Sequence, residues 1–280
     1  MSKIKTWFVT GANSGIGQGV AQAALTAGHQ VVATARNMEK LRAAFPDAND
    51  KLALVQLDIS DEVQAKASIN EAVERFGRID VLVNNAGNSV LGNFEGMSAA
   101  DIRLQFDVNF FGVVNVLHAA LPVMRKQRAG HVINISSVAG VVGLAHCSAY
   151  GASKFAVEGL SMAVANEVEP FGIHMTLVEP GFFRTSLLNI NNAGFIDSDI
   201  DDYKTDESTQ QTWSAYDGTQ QGNPLKLGHA LVQISEMEKP LKLFVAGSDA
   251  LETITPVLQA RLAEMQENAE LSKSTDGVDD

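Results

Sequence analysis

The sequence predicts a doubly wound α/β fold: one three-layer α/β/α domain around a parallel sheet. Three observations predict it. Short apolar runs bounded by turn residues alternate with helical patterns from the first residues onward. Strands separated by helices pair in parallel through right-handed crossovers. A glycine cluster, Gly11, Gly15 and Gly17, lies where the first strand gives way to the first helix, the Rossmann-type arrangement.

In chain order, residues 4–10 read as a buried strand and 14–26 as a helix, with Gly28 as punctuation before a strand over 29–36. A short helix over 38–45 leads to a strand over 52–57, a helix over 61–75 and a strand over 79–84. Two helices at about 98–127 precede a strand over 131–136. The helix over 149–168 stops before Pro170 and Gly172, as helices do at such residues. Strands over 173–178 and 241–245 follow, then a C-terminal helix from 248 to about 270 with a polar end. No internal repeat or Pro/Gly/Ser-rich linker divides the 280 residues, so a single domain over 1–280 is expected.

Composition excludes several classes. The net charge is −12, and residues 186–280 carry 6 Lys+Arg against 17 Asp+Glu. Phosphate backbones need basic patches, so a nucleic-acid partner is not expected. No stretch approaches membrane-spanning length and the N-terminus lacks a signal-peptide pattern, so a cytoplasmic protein without a membrane partner is expected. The lone Cys147 offers neither an intrachain disulfide nor a metal cluster.

The chemistry is carried by a few spacings. Tyr150 and Lys154 stand four apart in S-A-Y-G-A-S-K, on one face of a helix. A free phenol titrates near ~10, and a neighbouring cation favours phenolate, which makes such a tyrosine a usable acid and base. In T-G-A-N-S-G-I-G the glycines let the backbone approach a pyrophosphate, while the helix start offers unpaired N–H groups and a positive dipole end. Arg36 ends the second strand, where a dinucleotide fold meets the adenosine ribose. An arginine there accommodates a 2′-phosphate, whereas a carboxylate accepts from a free 2′-hydroxyl.

These features, with N-N-A-G at 84–87, Asn109 in F-D-V-N-F-F-G and Ser137 thirteen residues before Tyr150, resemble the short-chain dehydrogenase/reductase family. The resemblance is dense over about residues 4–185. It implies an oxidoreductase that interconverts a ketone or aldehyde and its alcohol, with NADP(H) favoured by Arg36 and NAD(H) as the other possibility. A small-molecule substrate and a homo-oligomer, dimer or tetramer, are implied as well. Asn109, Ser137, Tyr150 and Lys154 match the catalytic set: Tyr150 passes the proton, Ser137 holds the oxygen, Lys154 lowers the Tyr150 pKa and binds the nicotinamide ribose, and Asn109 keeps a relay water. For cofactor binding the resemblance implies Gly11, Asn13, Ser14, Gly15, Ile16 and Gly17 at the pyrophosphate, and Arg36 at the 2′ position. It further implies Asp58 and Ile59 at the adenine, Asn85, Ala86 and Gly87 beside the ribose, and Pro180, Gly181 and Thr185 at the nicotinamide, joined by Tyr150 and Lys154. Asn13 and Ser14 depart from the second basic residue that many NADP users carry in this loop.

Two rival readings compete with this one. A non-catalytic NADP-binding sensor predicts decay of the catalytic set, and all four residues are present. An epimerase or dehydratase of the extended branch needs a larger C-terminal domain than the residues after 185 provide. Ser136 competes with Ser137, because neighbours on a strand point to opposite sides. His146 and Cys147 are expected to line the substrate wall without a catalytic part. Residues 186–223 are expected to form a substrate lid. They carry Asp197, Asp199, Asp201, Asp202, Asp206, Glu207 and Asp217 against Lys204, with Phe195, Tyr203, Trp213 and Tyr216 interspersed.

Overall fold

The computed structural model of the chain describes residues 3–47, 49–189, 192–204 and 207–277. Asp206 of the expected lid therefore lies outside the described residues, as do 190–191 and Thr205. The first half alternates as predicted: β1 (Thr6–Val9), α1 (Gly15–Thr26), β2 (Gln30–Ala35), α2 (Met38–Ala44), β3 (Leu52–Gln56), α3 (Glu62–Phe76) and β4 (Val81–Asn84). A short strand β5 (Val90–Gly92), α4 (Ala99–Phe106), α5 (Gly112–Gln127) and β6 (Gly130–Ile135) follow. The remainder comprises α6 (Ser148–Val168), β7 (Ile173–Pro180), β8 (Gly194–Ile196), α7 (Thr209–Ser214), α8 (Pro224–Glu236), β9 (Leu243–Ala246), α9 (Ser248–Glu267) and α10 (Ala269–Lys273). Seven strands form one sheet in the order β3-β2-β1-β4-β6-β7-β9, every pair parallel. This is the doubly wound Rossmann-type sheet.

Alternation along the strands feeds two cores. Trp7 and Val9 enter the core under α1 and α8, while Phe8 between them enters the core under α3, α5 and α6. Val81 and Val83 repeat the split against Leu82, and Ile133 repeats it against Val132. Each such fully buried side chain contributes about 1.5–3 kcal/mol relative to exposure. Helix ends follow their local chemistry. The Asp61 side chain accepts from the backbone N–H groups of Val63 and Gln64 at the start of α3, and Gly77 ends that helix in the left-handed conformation.

The structure departs from the sequence reading in four places. The expected helix pair at 98–127 is one continuous run that loosens into a π turn at Asp107–Phe111. This 29-residue run, Ala99–Gln127, is long and apolar enough to cross a membrane, against the expectation that no stretch approaches that length. Its Val113, Val116, Leu117, Ala120 and Met124 lie in the core with residues of α3, so it serves as a layer helix. Second, α8 is an element the sequence reading does not assign. Pro224 occupies its first turn, and the Asn223 side chain accepts from the N–H groups of Leu225 and Lys226. It crosses α1 backbone to backbone: a Cβ on Gly19 would lie 2.5 Å from the Pro224 carbonyl oxygen, and one on Gly228 would lie 2.4 Å from the Gly19 oxygen.

Third, residues 186–223 hold more structure than an irregular stretch. They include β8, α7 and two 3₁₀ turns, at Ser186–Leu188 and Asp201–Tyr203. Strand β8 pairs in parallel with β5, matching Val90 with Gly194, Leu91 with Phe195 and Gly92 with Ile196. The acids Asp197, Asp199, Asp201, Asp202 and Glu207 are exposed, while Phe195 and Trp213 pack against Leu91, Cys147, Tyr150 and Leu188. Fourth, His146 does not line the substrate wall. It is exposed, in the left-handed region at φ 59°, and it contributes its carbonyl to the Gly92 N–H at 2.8 Å.

Candidate active site

A cavity of about 420 Å³ opens beyond the C-terminal ends of the strands. Its floor lies where the order reverses, between β1 and β4, and open α/β sheets bind ligands at such a switch point. Gly11, Asn13, Ser14, Gly15, Ile16, Arg36, Asp58, Ile59, Asn85, Ala86, Gly87, Ser137, Tyr150, Lys154, Pro180, Gly181 and Thr185 all line it. The structure therefore brings together every site residue the sequence singles out except Gly17 and Asn109, which lie behind the wall.

The glycine loop is shaped by close approach. Gly11 and Gly15 have φ of 65° and 56°. A Cβ on Gly17 would lie 2.4 Å from both the Gly11 oxygen and the Asn85 amide nitrogen. Asn85 Nδ2 donates to the carbonyls of Thr10 and Gly11 at 2.9 and 3.2 Å, and the N–H groups of Asn85 and Ala86 donate to Thr10 Oγ1. Ser14 makes no side-chain cap at the start of α1, and no acid occupies the first turn. That helix start keeps its donors and its positive end for an anion. Asn84 turns the other way and donates to Asn134 Oδ1 at 2.8 Å, a tie within the sheet.

Arg36 is exposed at the end of β2, and no ion pair engages it among the described residues. Asp58 is not the cap of α3, a role Asp61 takes. Its Oδ1 accepts from the Ser60 N–H and hydroxyl, leaving the carboxylate on the cavity edge. On the far side, Thr185 faces the glycine loop, its Cγ2 3.0 Å from where a Gly15 Cβ would stand. The Phe182 N–H donates to Asp249 Oδ2 at 2.6 Å, which fixes the turn after Pro180.

Tyr150 and Lys154 share one face of α6, with Lys154 Nζ 5.7 Å from the centre of the Tyr150 ring and donating to the Ile135 carbonyl at 2.9 Å. Burial pushes the Tyr150 phenol well above its ordinary value. The neighbouring Ser137 hydroxyl works against that rise and the Cys147 thiol adds to it. Burial pulls the Lys154 ammonium down to about 8, opposed by the Glu158 carboxylate. Cys147 lines the wall as expected, and burial pushes its thiol up to about 11, so it stays an inert thiol. Ser137 accepts from the Ala139 N–H at 3.1 Å and presents its hydroxyl beside Tyr150, while Ser136 turns toward Glu158.

Asn109 sits in the π turn, buried. Its Oδ1 accepts from the Asn88 N–H, and its Nδ2 donates to the Asn88 carbonyl and to Ser153 Oγ. Gln105, which the sequence reading passes over, holds the same loop by accepting from the Val90 N–H at 2.6 Å and donating to Asn88 at 2.8 Å. Trp213, one of the expected lid aromatics, lines the wall, whereas the apolar wall residues Leu91, Phe182, Leu187 and Leu188 are ones the sequence reading passes over. Only their position just after N-N-A-G and P-G hinted at them.

The family model for short chain dehydrogenases matches residues 5–194. A 3-ketodihydrosphingosine reductase of Bacteroides thetaiotaomicron is 37% identical over 83% of this chain and 84% of its own. A short-chain dehydrogenase from Streptomyces avermitilis superposes with a TM-score of 0.86 at 36% identity, over 99% of this chain and 100% of that one. The structure of ElxO with NADP bound gives a TM-score of 0.74 at 29% identity, over 89% of this chain and 100% of that one.

Proposed function

From a chain that belongs to the short-chain dehydrogenase/reductase family, we propose an NADP(H)-dependent reductase of a ketone or aldehyde, with Tyr150 as the proton donor. The observation that carries this reading is the convergence of Tyr150, Ser137 and Lys154 on one cavity with the glycine loop. A buried phenol held above its ordinary value and paired with a lysine at about 8 is, at neutral pH, an acid beside a cation. That is the form that donates to a carbonyl oxygen as it becomes an alkoxide. Ser137 donates to the same oxygen and stabilises its charge. Lys154, fixed by its bond to the Ile135 carbonyl, favours the phenolate that remains. Asn109 and Gln105 keep the Asn88 loop in place at the mouth.

The cradle fits a dinucleotide: three glycines whose Cβ positions are filled or strained, an uncapped helix start without acids, and Arg36 without an ion-pair partner at the ribose end. Gly11 to Gly17 would hold the pyrophosphate, Asp58 and Ile59 the adenine, Asn85 to Gly87 the ribose, and Pro180, Gly181, Thr185 and Lys154 the nicotinamide half. When bound, a nicotinamide supplies or accepts hydride, and the protein supplies the proton. The apolar wall of Leu91, Leu144, Leu187, Leu188 and Trp213 favours a substrate with a hydrophobic body, which agrees with the relative that reduces a long-chain ketone. A panel of ketones, sugars, steroids and acyl thioesters followed by NADPH absorbance tests the reading. Tyr150→Phe should abolish nearly all turnover and leave NADPH affinity unchanged. A variant that kept most of the wild-type rate would remove Tyr150 from the chemistry.

A further inference from the structure

Next to Lys154, where Ser136 lines the cavity, lies a second group of polar and ionisable side chains that the reaction above does not use. Glu158 follows Lys154 by one helical turn on the same face of α6 and is 8% exposed. Glu179, near the end of β7, is 4% exposed, and Ser136, just beyond the end of β6, is 3% exposed. Glu158 Oε1, Glu179 Oε2 and Ser136 Oγ are all buried without a hydrogen-bond partner among the described residues. The Ser136 N–H donates to the Val178 carbonyl at 2.8 Å, next to Glu179, and three such unpaired atoms need an explanation, because buried polar groups are ordinarily satisfied. The Ser136 hydroxyl comes near enough to favour the Glu158 carboxylate without reaching hydrogen-bond geometry.

We infer that Glu158 and Glu179 form a carboxyl pair that holds one proton between them and that Glu158 acts as a positioning residue, keeping the Lys154 ammonium charged in its buried place. Two buried carboxylates that repel one another cannot both ionise near neutrality. Burial raises both groups. Ser136 and Lys154 work against the rise at Glu158, and Glu158 adds to it at Glu179, which is pushed up to about 7. Ser136 from beyond β6 and Lys154 from its own helix thus act on Glu158, and Glu158 in turn acts on Glu179 of β7. Gly140 makes the arrangement possible, since a Cβ there would lie 2.5 Å from Ser136 Oγ and 3.2 Å from Lys154 Cβ. A buried lysine loses its proton readily unless an anion stands by it, and among the described residues Glu158 is the anion that raises Lys154. The link to turnover rests on the role assigned to Lys154 above; the proton-sharing pair does not.

Carboxyl and ε-carbon titration by NMR tests the inference without any substrate. The full chain would be labelled with [δ-¹³C]glutamate and [ε-¹³C]lysine, and signals assigned from Glu158→Gln, Glu179→Gln and Lys154→Arg. One carboxyl should titrate near neutrality, and each Gln variant should lower the midpoint of the remaining partner by about one pH unit. Glu158→Gln should also lower the Lys154 midpoint by about one unit. The corresponding loss in kcat/KM is about fivefold at pH 8 and none at pH 6. Carboxyls that both titrate in the ordinary range, or a Lys154 midpoint unmoved in Glu158→Gln, would overturn the inference. If the Lys154 midpoint moves while the pH–rate profile does not follow, the pair stands and the catalytic role of Lys154 falls.

Discussion

The α1–α8 crossing yields a prediction in which one chemical change has opposite signs at two positions. In Gly19→Ala the new Cβ would meet the Pro224 carbonyl carbon and oxygen at 2.5 Å and the Leu225 nitrogen at 2.8 Å. Carbon contacts settle near 3.5–4.0 Å, so the overlap is about 1 Å, and it falls on backbone that no rotamer can move aside. Overpacking of this kind costs about 1–3 kcal/mol, and the better helix propensity of alanine returns about 0.8–1 kcal/mol. A net loss of up to about 2 kcal/mol follows, as the packing of Leu227 and Leu231 on Val20 and Ala23 loosens. Gly159 on α6 is exposed, with nothing within 4 Å of its would-be Cβ, so Gly159→Ala should gain about 0.5–1 kcal/mol. Denaturant midpoints at constant slope measure both. Because α1 carries the glycine loop at its N-terminus, Gly19→Ala should also weaken NADP(H) binding severalfold. Equal and same-signed shifts for the two variants would refute the backbone-to-backbone crossing.

Three further outcomes are expected. Arg36→Ala should cost roughly ten- to a hundredfold in kcat/KM for NADPH and little for NADH, since a charge-assisted bond contributes ~1.5–3 kcal/mol; equal wild-type efficiency with both cofactors would defeat it. Hydrogen exchange across residues 195–216 should slow only when NADP(H) and a substrate analogue are both present, and unchanged exchange would mean that the stretch is no lid. His131, buried against Thr176 Oγ1 at 2.8 Å, is lowered from 6.5 to about 3 by burial first, then by His174 and Lys5. Its folded form stays neutral while the unfolded chain takes up a proton. The stability is therefore full above 6.5 and lost as pH falls toward 3. Between pH 6 and 4, His131→Gln should lose about 2–3 kcal/mol less stability than wild type. Parallel acid curves for the two would remove His131 from the account.

The sheet was legible because its strands are buried on both faces and punctuated by glycine or asparagine, so each stands out as an apolar run. The cavity residues were legible for a related reason. Gly11, Arg36, Asp58, Asn85, Ser137 and Gly181 each sit just past such a run, and the ends of parallel strands share one edge of the sheet. What stayed hidden depends on contacts made only after folding. Three-residue strands such as Val90–Gly92 and Gly194–Ile196 carry no period of their own and exist by pairing. Pro224 and Asn223 mark the start of α8 clearly, yet its register on α1 rests on two glycines more than two hundred residues apart in sequence. Asn109 could be flagged from sequence as a poor helix residue. That its amide would be spent on the Asn88 loop could not.

The pairing of β8 with β5 divides the substrate side into a fixed part and a free part. Ser89 Oγ donates to the Leu187 carbonyl at 3.1 Å, and the Gly194 N–H donates to the Ser89 carbonyl at 2.8 Å. The chain on either side of residues 190–191 is thus moored to the loop that follows Gly87. Beyond Ile196 the acids Asp197, Asp199, Asp201, Asp202 and Glu207 stand in solvent before Trp213 returns to the wall. Substitutions between 197 and 212 can therefore act on the pocket through the placing of Trp213 while the rim moored through Ser89 keeps its geometry. Substrate range and reaction geometry become separable properties of one segment, open to change at one end and conserved by its moorings at the other.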